Sequence, residues 1–169
     1  MSVYLFTIKH KKMTQRINGW QKAPHAIKAL GGFPMYLAKS SLDSNLLHLI
    51  YFRVSQLNGC AYCLDMHAKD LRAAGESEQR LHMIAAWRDA PQYSAREKAA
   101  LGYAEALTRV AENHLSDEVY SEALAHFSEA ELIDLTIGII AINSYYRLNI
   151  ALPGEPGTYV PGQFAAIAH

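Results

Sequence analysis

The sequence of 169 residues lacks several features that would commit it to a particular class of protein. It has no surplus of charge, because 16 basic residues balance 16 acidic ones. A nucleic-acid binder needs an excess of Lys and Arg to displace counterions. No window holds the run of about eighteen apolar residues that a membrane-spanning helix requires. Residues 3–8 are too few for the core of a signal peptide, and lysines follow them instead of a cleavage site. We therefore expect a cytoplasmic protein with neither nucleic acid nor membrane as a partner.

Cysteine is also scarce. The chain has two cysteines, Cys60 and Cys63, and no third that could serve a separate purpose. A chain of this length can bury a hydrophobic core large enough to fold without disulfide bonds. In a reducing cytoplasm, a closely spaced pair is more typical of redox chemistry or metal binding than of a structural crosslink.

Signals for β-strands are missing as well. Helix-forming residues dominate, and β-branched residues never alternate with polar ones over a useful length. The pattern predicts an all-α, single-domain bundle of about six or seven helices. The predicted helices cover residues 24–38 with an interruption at 31–34, a stretch from a cap at Ser41 or Ser44 to 58, and residues 60–74, 78–88, 94–111, 117–126 and 128–149.

Two of the helix starts carry a specific signal. Ser94 with Glu97, and Ser128 with Glu131, match the capping box, in which serine and glutamate satisfy each other's backbone N–H groups. The Pro- and Gly-rich stretch after residue 152 breaks regular structure. We predict a flexible N-terminal extension at 1–12, a helical domain at 13–152 and a C-terminal arm at 153–169, with Met13 as a second plausible start.

The chemistry is concentrated in residues 60–67, which read CAYCLDMH. Helical spacing places Cys60, Cys63 and His67 on one face, and alpha carbons at i and i+3 lie about 5 Å apart, which a disulfide tolerates. The first turn of a helix favours negative charge, so a thiolate there is available at neutral pH. His67 can accept or return its proton. Two alternatives stay open: cysteines that serve only as small hydrophobic residues, and a Cys₂His₂ zinc site completed by His48.

Residues 53–67 closely resemble the signature of AhpD-like alkyl hydroperoxidases in the carboxymuconolactone decarboxylase superfamily. Residues 87–91, 97–108 and 126–149 look like downstream segments of the same family, so the resemblance covers roughly residues 14–152. It implies a helical bundle that assembles into homotrimers or homohexamers. It also implies the reduction of a hydroperoxide through a cysteine pair that cycles between dithiol and disulfide.

The resemblance also implies a role for each site residue. Cys63 would be the peroxidatic thiol, Cys60 the resolving thiol, and His67 a member of the proton relay. No cofactor or metal is expected, and a thiol, thioredoxin-type or lipoyl-type donor would supply the electrons. The family relay usually includes a glutamate twelve residues before the first cysteine, and this chain has His48 there. A neutral imidazole can also accept a proton, so we expect His48 to serve the relay; the alternative is a histidine held in a helix interface.

Other functions fit parts of the same pattern. A redox-sensing or stress-response oligomer would form the disulfide reversibly without turnover. The decarboxylase branch of the superfamily generally lacks the cysteine pair and ranks lower. Tyr62, between the cysteines, could shield a disulfide, line a substrate pocket or simply pack.

Overall fold

The structure, a computed structural model, describes residues 17–164, and over this range it contains helices and no strand. The predicted all-α class is therefore confirmed. The predicted extension at 1–12 and the alternative start at Met13 lie outside the described residues. The α-helices are α1 (Gly19–Lys22), α2 (Pro24–Leu30), α3 (Gly32–Leu37), α4 (Ser44–Asn58), α5 (Ala61–Ala73), α6 (Glu78–Met83), α7 (Ala95–Thr108), α8 (Asp117–His126) and α9 (Glu129–Ala151).

Local signals set most of the helix ends. Both predicted capping boxes are present, at the starts of α7 and α9. The start of α4 differs, because neither Ser41 nor Ser44 is its cap. The carboxylate of Asp43 accepts a hydrogen bond from the backbone N–H of Asn45 and so occupies the cap position. Gly59 ends α4 in the left-handed conformation, with φ of 66°.

The helix predicted for residues 78–88 is shorter than expected. Its α-helical part ends at Met83, and a 3₁₀ turn, Ile84–Ala86, follows. Residues at i and i+3 lie above one another in a 3₁₀ turn, so Ile84 and Trp87 both point into the same buried cluster. The free energy gained by burying these two large side chains exceeds the cost of ending the α-helix early.

Helix α4 is the central element. It packs against α5, α7 and α9. Its residues Ile50 and Val54 enter one hydrophobic cluster with α7, α8 and α9, whereas Leu49 and Phe52 enter a second cluster with α5 and Trp87. Each such side chain contributes about 1.5–3 kcal/mol on burial. Helix α4 is therefore buried on both sides, and the chain returns from the exposed turn residue Gly59 to a buried position at Cys60.

A buried ion cluster joins α4 to α7. Glu105 is 8% exposed and accepts hydrogen bonds from Arg53 Nε at 2.7 Å and from the indole N–H of Trp87 at 2.9 Å. Arg88 lies 2.9 Å from its second oxygen. Within the described residues, no helix combines the length and the apolarity needed to cross a membrane.

Candidate active site

The two cysteines form a disulfide at the start of α5. Cys60 is the N-cap, and its sulfur accepts a hydrogen bond from the backbone N–H of Cys63 at 3.2 Å. The alpha carbons of the pair lie 5.3 Å apart. Both residues are buried, with exposures of 2% and 1%. The predicted i, i+3 pairing at a helix start is therefore present, and the pair is redox-competent in geometry.

Two histidine rings lie close to each other beside this helix start. His67 follows Cys63 by one turn of α5, and His48 comes from α4. Their ring centroids are 6.2 Å apart, and the ring of Tyr51 lies 5.4 Å from that of His67. The structure thus brings His48 to His67, as the predicted relay requires. The ring of Tyr51 is also 6.1 Å from that of His48, so it lies beside both histidines. The sequence pattern had assigned Tyr51 only to the core face of α4, so sequence reasoning missed this position.

Burial controls the charge of both imidazoles. Burial, together with a smaller contribution from the neighbouring His48, lowers the pKa of His67 to about 3. Burial also lowers the pKa of His48, although the carboxylate of Asp70 opposes this effect. Both rings are therefore neutral near neutral pH, with lone pairs that can accept a proton or bind an ion.

Asn149 is a site residue that sequence reasoning missed. It lies on α9, and its side-chain amide donates a hydrogen bond to the sulfur of Cys63 at 3.5 Å. The two residues are 86 positions apart in the chain. Periodicity could place Asn149 near the end of the last helix, but no local pattern indicated which neighbour it would face.

The C-terminal segment lies along α5. The hydroxyl of Tyr159 donates to Asp70 Oδ1 at 2.7 Å, and the ammonium of Lys69 donates to the backbone carbonyl of Tyr159 at 2.9 Å. The ring of Tyr62 packs so closely on Gly154 that a Cβ at that glycine would lie 3.0 Å from a ring carbon. Tyr62 therefore packs against this segment, on the same helix as the disulfide.

The Cys₂His₂ zinc set considered from the sequence is not assembled. The sulfurs of Cys60 and Cys63 are bonded to each other. The two histidines instead group with Asp70, and among the described residues this is the one cluster of three or more potential ligands. His82 and His114 are exposed, and His126 lies 3.3 Å from Glu122 on α8, so these histidines lie outside the cluster.

Comparison with known proteins assigns this arrangement to a family. The family model for the carboxymuconolactone decarboxylase family matches residues 19–106, which include α4, the cysteine pair and both histidines. The chain belongs to the carboxymuconolactone decarboxylase family. The uncharacterized protein YdfG of Bacillus subtilis is 39% identical over 140 residues, which is 83% of this chain and 95% of the relative.

Solved structures of similar proteins place the chain in the AhpD-like part of this family. A protein of unknown function from Agrobacterium tumefaciens, proposed to be the antioxidant defence protein AhpD, superposes with a TM-score of 0.82 at 36% identity. The match covers 86% of this chain and 99% of that one. An uncharacterized peroxidase-related protein from Silicibacter sp. TM1040 superposes with a TM-score of 0.70 at 25% identity, covering 82% and 73% of the two chains. The predicted AhpD-like fold is confirmed.

Proposed function

We propose that this family member is a thiol-dependent peroxidase that reduces an alkyl hydroperoxide through the Cys60–Cys63 pair. The observation that carries the proposal is the disulfide at the first turn of α5, beside two neutral histidines, of which His67 is buried and His48 half-buried. The cysteine pair can change between dithiol and disulfide without a large movement of the backbone, because the two alpha carbons are already 5.3 Å apart.

The reaction balances with these residues alone and an external reductant. The thiolate of Cys63 attacks the O–O bond, takes one oxygen as sulfenic acid and releases an alkoxide, which is protonated to the alcohol. The thiol of Cys60 then condenses with the sulfenic acid, forming the disulfide and releasing water. A dithiol donor restores both thiols by exchange and leaves as its own disulfide.

The neighbours of the two sulfurs are compatible with the roles that the family resemblance implies. Each sulfur accepts one hydrogen bond, Cys60 from the backbone N–H of Cys63 and Cys63 from the side-chain amide of Asn149. His67, the base of the proposed relay, follows Cys63 by one turn of α5. We therefore assign the attack to Cys63 and the resolving step to Cys60.

His67 receives the thiol proton, and His48 extends the relay. With the cysteines joined as a disulfide, no thiolate opposes the burial that keeps these imidazoles neutral, and the carboxylate of Asp70 offsets it only in part at His48. After reduction, a thiolate at Cys63 favours an imidazolium one turn away, because opposite charges stabilise each other. His48 thus takes the position of the family glutamate, but it becomes a cation when it accepts a proton, whereas a glutamate becomes neutral.

We further propose that the enzyme works in the cytoplasm, takes electrons from a thiol or lipoyl-type donor, and assembles as a homotrimer or homohexamer. Ile133 and Ile140, seven residues apart on α9, are 61% and 44% exposed, which supports a contact between subunits. Analytical ultracentrifugation tests the assembly, and a monomer at micromolar concentration would contradict it.

The test is a peroxidase assay with cumene hydroperoxide and either dihydrolipoamide or thioredoxin with its reductase. Cys63→Ser should abolish turnover. Cys60→Ser should also stop turnover but accumulate a sulfenic acid that dimedone labels at Cys63. Ser144→Ala, an exposed-side-chain change on α9, is the control and should be unaffected.

Unchanged peroxide consumption by Cys63→Ser would overturn the proposal. A second outcome would favour the redox-sensing alternative. In that case the wild-type disulfide would form and reduce reversibly, yet no donor would support turnover.

A further inference from the structure

His48 and His67 share a third polar neighbour, Asp70. His67 and Asp70 lie at i and i+3 on α5, and His48 approaches from α4. One nitrogen of each histidine and one carboxylate oxygen of Asp70 all lie within 4.8 Å of one another. Two imidazole nitrogens and a carboxylate oxygen around a common point form a donor set that suits divalent transition-metal ions, Zn²⁺ among them.

Three of the four ring nitrogens of His48 and His67 lack a hydrogen-bond partner in the described part of the chain. Buried polar groups are normally hydrogen-bonded, because an unpartnered one carries its full cost of desolvation. His67 is 5% exposed, and neither of its ring nitrogens has a hydrogen-bond partner among the described residues. The same holds for Nδ1 of His48 within residues 17–164. A neutral imidazole has one lone pair, so a bound cation would satisfy one nitrogen of each ring.

The carboxylate of Asp70 is held in place and remains available to an ion. The hydroxyl of Tyr159 donates a hydrogen bond to one oxygen of Asp70 at 2.7 Å. Hydrogen bonds of this kind commonly orient a carboxylate that binds a metal. The adjacent cation, Lys69, is directed elsewhere. Its ammonium contacts Asp65 at 2.9 Å and the carbonyls of Gly157 and Tyr159. The cluster therefore keeps a net negative charge that an ion can neutralise.

We propose that His48, His67 and Asp70 bind one divalent transition-metal ion, with Zn²⁺ the best match, and that Tyr159 is a positioning residue for Asp70. Zinc bonds of about 2.0–2.1 Å place tetrahedral ligand atoms about 3.3 Å apart, so small side-chain rotations close the cluster. Three protein ligands leave a fourth position open to water. Binding does not depend on the proposed peroxidase activity. If that activity holds, the ion occupies the lone pairs that the relay uses and lowers turnover.

The test uses the untagged full-length chain in its oxidised form, so that the disulfide removes both thiols as ligands. Titration with Co²⁺ followed by optical absorption, and with Zn²⁺ followed by calorimetry, should show one ion per chain. The Co²⁺ spectrum should contain ligand-field bands without a sulfur-to-metal charge-transfer band. Asp70→Asn and His48→Gln should each weaken binding at least about tenfold, and Tyr159→Phe about tenfold, as for an outer-shell partner.

His114→Gln, an exposed histidine between α7 and α8, is the matched control and should bind as tightly as the wild type. Circular dichroism confirms that each variant is folded. If one of the two ligand variants does not fold, the affinity of the other variant tests the proposal. If neither folds, the wild-type Co²⁺ spectrum tests it, because its ligand-field bands report nitrogen and oxygen ligands. Absence of stoichiometric binding to the wild type, or unchanged affinity in Asp70→Asn and His48→Gln, would overturn the proposal.

Discussion

The hydrogen bond from Asn149 to Cys63 predicts a measurable change in the acidity of the attacking thiol. Replacing Asn149 with leucine removes the donor and keeps a similar side-chain volume. Asn149→Asp keeps the shape but places a negative charge beside the sulfur. Both changes should raise the pKa of the Cys63 thiol, and the aspartate should raise it more.

The expected size follows from the contact. A hydrogen bond to a charged group is worth about 1.5–3 kcal/mol. Sulfur is a weak acceptor and the separation here is 3.5 Å, so we take a contribution of about 1 kcal/mol for this contact. Because one pKa unit corresponds to about 1.4 kcal/mol, the Asn149→Leu change should raise the thiol pKa by about 0.7 units. Below that pKa, the thiolate fraction falls about fivefold.

The assay follows the reduced protein and needs no peroxide. The rate of alkylation by iodoacetamide is measured across pH in a Cys60→Ser background, so that Cys63 is the one thiol of the chain. Ser144→Ala, on the same helix, serves as the control. An unchanged thiol pKa in both Asn149→Leu and Asn149→Asp would show that the amide does not act on this sulfur.

Three further predictions concern stability. Gly59→Ala should lower the free energy of unfolding by roughly 1–2 kcal/mol, because residue 59 adopts φ of 66°, where a Cβ is disfavoured. Glu105→Ala should cost about 3 kcal/mol, since it leaves buried cationic and indole donors, including Trp87, without an acceptor. Glu97 gives a pH dependence: burial alone would raise its pKa, but hydrogen bonds from Arg80 and Ser94 outweigh burial and lower it. The contribution of Glu97 to the free energy of unfolding is therefore present above its unfolded-state pKa and is lost as pH falls through its lower folded-state pKa.

Urea unfolding followed by circular dichroism measures all three changes. Gly32→Ala is the control for the first, because a Cβ there meets nothing within 4 Å and the residue is helical; equal losses in both variants would contradict the conformational argument. Glu112→Ala, at an exposed site, is the control for Glu105, and a loss as small as the control's would argue against the buried cluster. For Glu97→Gln, the deficit in unfolding free energy relative to wild type should shrink as pH falls below the unfolded-state pKa of glutamate and through the lower folded-state pKa. A deficit that stays constant with pH would contradict this linkage.

Local signals in the sequence predicted much of the fold and part of the site. The capping boxes at Ser94 and Ser128 set two helix starts because both partners lie within one turn. The spacing of Cys60, Cys63 and His67 likewise depends on a single helix, so it could be read without knowledge of packing. The resemblance to AhpD-like proteins supplied the position of His48.

The remainder depends on how helices pack, and no short-range pattern encodes that. Asn149 meets Cys63 only because α9 lies against α5, and Tyr159 meets Asp70 only because the chain turns back after residue 152. The early end of α6 arises in the same way, from a shared buried cluster and not from a helix-breaking residue at that point. The roles of Cys63, Cys60, His67 and His48, the domain boundaries and the assembly stay predictions.

The cap of α5 has a consequence for protein engineering. A sulfur accepts hydrogen bonds weakly, whereas the hydroxyl of serine is among the preferred helix caps. Reduced Cys60→Ser should therefore resist denaturation better than the reduced wild type, even though it cannot complete a redox cycle. Under reducing conditions, selection for thermostability alone would favour this inactive variant. A directed-evolution experiment run under those conditions therefore needs a redox assay that rejects substitutions of Cys60.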